Sequence, residues 1–67
     1  MSTTRTSYES SEHIVTILFE AGKWSWAVEG VAVNGGWTQL TGGMSHSEQD
    51  AREEANAYIA ERVEVAA

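Results

Sequence analysis

The sequence predicts an α+β fold: a three-stranded antiparallel sheet followed by one C-terminal helix (β-β-β-α) packed on one face. Three observations carry that prediction. His13–Glu20 is dense in β-branched and aromatic residues, which suit a pleated surface. Glycine-bearing turn signals follow at Ala21-Gly22-Lys23 and Asn34-Gly35-Gly36, with Gly42-Gly43 further on. The last third of the chain then opens on serines and acids and turns alanine-rich, as helix starts do.

Taken in order, residues 1–11 hold seven serines and threonines and little to bury, which predicts a flexible tail ahead of a single domain over residues 12–67. In the first strand, Val15, Ile17 and Phe19 fall on one face and Ile14, Thr16 and Leu18 on the other. Both faces are largely apolar, although one helix covers only one. Gly22-Lys23 leads into a second strand with Trp24, Trp26 and Val28 on one face and Ser25, Ala27 and Glu29 opposite. Gly30 interrupts the alternation and signals a bulge, leaving open whether Val31–Val33 continues that strand or forms a separate piece. After the Asn34-Gly35-Gly36 turn, Trp37–Thr41 is the third strand, ended by Gly42-Gly43. Ser45-x-x-Glu48 and Ser47-x-x-Asp50 are both capping-box patterns; Ser47 is the expected N-cap of a helix from Glu48 to about Val63. Ala51, Ala55, Tyr58, Ile59 and Val63 form its apolar stripe.

Size and charge exclude several functions. A chain of 67 residues buries only about 60% of its unfolded surface, so its core is thin. With no cysteine there is neither a disulfide nor a thiolate metal site, and self-association is the remaining route to more buried surface. A homo-oligomer is therefore expected. Ten acids against four bases give a net charge of −6, concentrated toward the helix. Nucleic-acid affinity comes largely from cations displacing counterions on phosphate, and four scattered cations do not supply it. The same deficit disfavours anionic membranes. No apolar run is long enough to span a bilayer, and residues 1–11 lack the apolar run of a signal peptide. A cytoplasmic protein is expected.

Gly22-Lys23-Trp24-x-x-x-Val28, the turn at Gly35-Gly36, and Gly42-Gly43-x-Ser45-x-Ser47-x-x-x-Ala51-x-x-x-Ala55 together resemble the arm-binding N-terminal domain of tyrosine-family phage integrases, three strands followed by a helix. A glycine and a Ser/Thr cap before an acidic, alanine-bearing helix start are also similar to HicB-like antitoxin domains. Either resemblance spans residues 14–62 and implies topology. The integrase domain is basic and binds DNA with its sheet, whereas the corresponding strands here offer Lys23 as their one cation. The resemblance then implies a small, phage-type accessory scaffold whose sheet serves a different partner.

No residue pattern points to catalysis, a cofactor or a metal. His46 sits between Ser45 and Ser47 with Asp50 beyond, but neighbours at a helix start do not face one another as a nucleophile and its base must. His13, His46 and Asp50 have no recognised ligand spacing. Gly42-Gly43 precedes a helix whose positive end already carries Glu48 and Asp50, which disfavours an anion there. What is left is surface. Trp24, Trp26 and Trp37, with Ile14 and Leu18, are the candidate partner-binding residues, because one helix cannot cover two apolar sheet faces and tryptophan anchors many interfaces. Glu53, Glu54 and Glu61 are the candidate acidic face. The expectation is a non-catalytic protein that binds and modulates a protein partner through a tryptophan-bearing sheet face. The alternatives are an acidic decoy imitating nucleic acid, or a sheet that stacks a nucleotide or small aromatic ligand.

Overall fold

The computed structural model of the chain describes residues 3–66, and its side chains as far as residue 63. The order is β1 (Thr4–Ser10), β2 (His13–Glu20), β3 (Lys23–Val31), β4 (Trp37–Ser45) and α1 (Glu48–Ala66), and the strands form one antiparallel meander β1-β2-β3-β4. The predicted α+β class holds, but the sheet has four strands where three were expected. The extra one is β1, lying within the segment expected to be a tail; residues 1–2 of that segment lie outside the described residues. Its sequence alternates without being hydrophobic. Thr4, Thr6, Tyr8 and Ser10 share one face and Arg5, Ser7 and Glu9 the other, with β2 supplying the apolar partners in register from Thr4↔Phe19 to Ser10↔His13.

Two tight loops set that register. Ser11 and Glu12 (φ 49° and 65°) join β1 to β2, and Ala21 and Gly22 (φ 54° and 74°) join β2 to β3. Positive φ at both central residues is the geometry that matches a two-residue loop to strand twist, usually supplied by Asn-Gly. Here three of the four residues carry a side chain, each at a cost of order 1 kcal/mol. The third connection matches its turn signal. Gly35 (φ 88°) donates its N–H to Ala32 O at 2.9 Å, and Asn34 Oδ1 accepts from Gly36 N at 3.0 Å.

β3 is a single strand to Val31, and β4 continues to Ser45 through the glycines expected to end it. The irregularity expected at Gly30 is borne by β4 instead. Val28 pairs with Thr41 and Glu29 with Gln39, leaving Leu40 as the extra residue. Leu40 folds over Gly30, where a Cβ would lie 2.8 Å from its Cδ1. Gly42 and Gly43 are required by closeness. A Cβ at Gly42 would come within 2.8 Å of the Trp26 carbonyl oxygen, and one at Gly43 would press on the Trp26 indole at 3.1–3.2 Å.

Ser47 caps α1 as expected, its Oγ accepting the Asp50 N–H at 3.1 Å. Ala51, Ala55 and Ile59 are buried against Val15, Ile17 and Val28, with Tyr8, Trp24, Trp26 and Tyr58 packed around them. Val63, expected on the same stripe, is 44% exposed. Arg62, the residue before it, lies at the His13 end of β2, so Val63 falls at the margin of the sheet rather than over it.

Two stability predictions follow from these contacts. Replacing Ser11-Glu12 by Asn-Gly should stabilise the fold by about 1 kcal/mol, read as a raised Tm, because it removes the strain while keeping the loop. Gly42→Ala should destabilise it by about 1–3 kcal/mol in urea unfolding, since the new methyl meets backbone.

Candidate functional site

The register sorts the predicted site residues between two faces. Trp24 and Trp26 stand opposite Phe19 and Ile17, on the side α1 covers. Trp24 packs on Phe19 with ring centroids 4.7 Å apart, and Trp26 lies across Gly43. Both are half-buried within the α1 side of the sheet. The Trp26 Nε1–H is buried without a hydrogen-bond partner, the cost of laying the indole flat on a glycine backbone. Trp37 is placed differently. It pairs with Val31, and the alternation puts both on the opposite face; Trp37 is 48% exposed and Val31 58%.

Among the described residues no helix lies on that face. Its rows run Arg5–Leu18–Ser25–Met44, Ser7–Thr16–Ala27–Gly42 and Glu9–Ile14–Glu29–Gln39, with Val31–Trp37 at one corner. Ile14 and Leu18, both expected here, are half-buried, and Met44, which the sequence reading missed, is 61% exposed. Met44 was hidden because β4 was expected to stop at Gly42-Gly43. The central row is made of small side chains, with Ser7 Oγ and Thr16 Oγ1 3.4 Å apart. The surface is thus a shallow trough rimmed by Leu18 and Met44 on one side and by Ile14 on the other.

The acidic residues occupy α1. Glu53 and Glu61 are exposed; Glu54 accepts a hydrogen bond from the Ser45 hydroxyl, and Glu53 accepts one from Gln49 Nε2 at 3.3 Å. Both arginines of the helix are engaged elsewhere. Arg52 lies 5.0 Å over the Tyr8 ring, and Arg62 lies 5.9 Å from the Tyr58 ring and donates to His13 Nε2 at 3.3 Å. Tyr8 in turn donates its hydroxyl proton to Asn56 Oδ1 at 2.8 Å. Burial raises the Tyr8 pKa above its ordinary value, against a smaller lowering by Arg52.

His46 and Asp50 meet, with Met44, Ser45, Glu53 and Glu54, along an open cleft of about 260 Å³. Among the described residues no group of three or more His, Asp or Glu is arranged to hold a metal ion. Among the described residues no helix is long and apolar enough to cross a membrane. Comparison with protein-family models, curated proteins and solved structures returned no match.

Two spectroscopic outcomes are expected. Acrylamide should quench a fluorescence component that Trp37→Phe removes, while Trp24→Phe and Trp26→Phe leave it in place. Tyr8 should ionise at higher pH than a free tyrosine in an absorbance titration, and Tyr8→Phe should remove that step. Because the folded pKa is the raised one, the stability it contributes is whole below the unfolded value near 10 and lost as pH climbs through the folded value.

Proposed function

We propose that this chain is a non-catalytic interaction protein that binds a protein partner, and modulates it, through the open face of its sheet. The observation that supports this reading is the uncovered face itself: Ile14, Leu18 and Met44 border a floor of Thr16, Ala27 and Gly42, and Val31 and Trp37 stand at one corner beyond Glu29 and Gln39. Apolar side chains exposed together on one face mark interaction sites, an exposed tryptophan is a frequent energetic anchor, and methionine adapts its shape to a partner. Trp24 and Trp26 enter this reading as the packed side of the same strand, opposite Ser25 and Ala27. A cytoplasmic setting belongs to the same reading and suits a chain without cysteine.

The acidic helix supports a second reading, a decoy for a nucleic-acid-binding protein. Its favouring observation is that Arg52 and Arg62 lean on tyrosines, leaving Glu53 and Glu61 exposed.

Affinity capture from a lysate of the source cells, with variants side by side, separates the two. The open-face reading expects capture that withstands salt and falls at least tenfold with Trp37→Ala or Leu18→Lys, while circular dichroism is unchanged. Capture that is abolished by salt and by Glu53→Gln with Glu61→Gln, and indifferent to Trp37→Ala, would replace it with the decoy. Trp37 fluorescence quenched by nucleotides alone would point instead to ligand stacking.

A further inference from the structure

The two hairpin loops fix which backbone groups of β1 face outward. The two-residue Ser11-Glu12 loop makes Ser10↔His13 a hydrogen-bonded pair, so by antiparallel alternation Thr4, Thr6, Tyr8 and Ser10 direct their N–H and C=O groups to β2. The Ala21-Gly22 loop independently makes Glu20↔Lys23 the bonded pair, which sends the even residues of β2 toward β3 and its odd residues toward β1, in agreement. The backbone groups of Arg5, Ser7 and Glu9 therefore face outward along an edge strand. Among the described residues no strand pairs with that edge; α1 rests mainly on β2, β3 and β4 and meets β1 at the inward-facing Tyr8 side chain.

An open edge is a template for another strand, and proteins usually blunt it with proline, a bulge or charge of one sign. β1 has no proline and an unbroken register. Its charges are of opposite sign, two residues either side of Ser7: Arg5 and Glu9, both exposed. We propose that two copies of this chain associate through β1, antiparallel about a two-fold axis at Ser7. That register sets Arg5 of each copy opposite Glu9 of its partner, Ser7 against Ser7, and Thr6 against Tyr8, matching the strand along its whole length. The three residues with free backbone groups are the ones placed in hydrogen-bonded pairs, and the two whose side chains carry charge are placed opposite their counter-charges. β4, the other edge, offers no such match, because the extra residue Leu40 breaks its alternation midway. The product is an eight-stranded sheet with both helices on one side and both open faces continuous on the other. The seam uses backbone and leaves the open face unoccupied, so it holds whether or not that face binds a protein.

The full chain tests this by light scattering between about 10 µM and about 1 mM, which reads dissociation constants across that range. The expected mass rises from 7.3 kDa toward twice that value. Arg5→Glu alone and Glu9→Arg alone should each weaken association by roughly tenfold or more, because like charges then stand opposite twice. The double variant R5E/E9R should restore it, and an equimolar mixture of the two single variants should form the heterodimer. Circular dichroism of each variant, expected unchanged, separates loss of the seam from loss of the fold. A wild-type chain that stays at 7.3 kDa throughout, or a dimer indifferent to both single reversals, would overturn the proposal.

Discussion

Everything in this molecule depends on how closely one helix approaches one face of the sheet. Ala51 and Ala55 are fully buried against Val15, Ile17 and Val28, and only small side chains let the helix axis come near enough for Ile59 to finish the contact. Extra methylenes at such a contact cost about 1–3 kcal/mol, a large share of what a chain this short can hold. The tryptophans serve the same approach by filling its margin. Trp24 leans on Phe19 and Trp26 lies across Gly43, closing the sides of a core whose centre is made of medium-sized aliphatic residues.

From that approach comes the division of the sheet. Every strand alternates, so the residues that do not meet α1 meet solvent or another molecule. On β2 this leaves Ile14 and Leu18, and on β4 it leaves Met44, on the face away from α1. The helix itself is tied down along its length by Glu54 to Ser45, Asn56 to Tyr8 and Arg62 to His13. Its arginines are spent on those ties and on tyrosine rings, which is why its outward side is acidic.

Much of this was legible from residues alone. The bounds of β2, the Ser47 cap and the buried Ala51-Ala55-Ile59 ladder follow from β-branching, capping chemistry and helical spacing. β1 was not legible, because its Ser/Thr composition carries no hydrophobic signal and its loop, Ser11-Glu12, takes a left-handed geometry without the glycine that would announce it. Gly42-Gly43 misled for the converse reason. Glycine marks turns when a positive φ is needed, but here it marks backbone and indole pressed together inside a strand. The site inherited the second error, since Met44 lay beyond the expected end of its strand, and no side-chain pattern said which of three tryptophans faced outward.

His13 joins parts of the chain that are far apart in sequence. A backbone carbonyl can only accept, so the Nδ1 that lies 2.7 Å from Ser11 O carries the proton; a guanidinium can only donate, so Nε2, 3.3 Å from Arg62 Nε, is bare. The imidazole is thereby held as a single tautomer between the first hairpin and the far end of the helix. Fraying of the helix beyond Ile59 would withdraw the guanidinium and leave the ring held by Ser11 O alone. Motion at one end of the molecule is thus mechanically coupled, through one side chain, to the strained turn that orients the first strand.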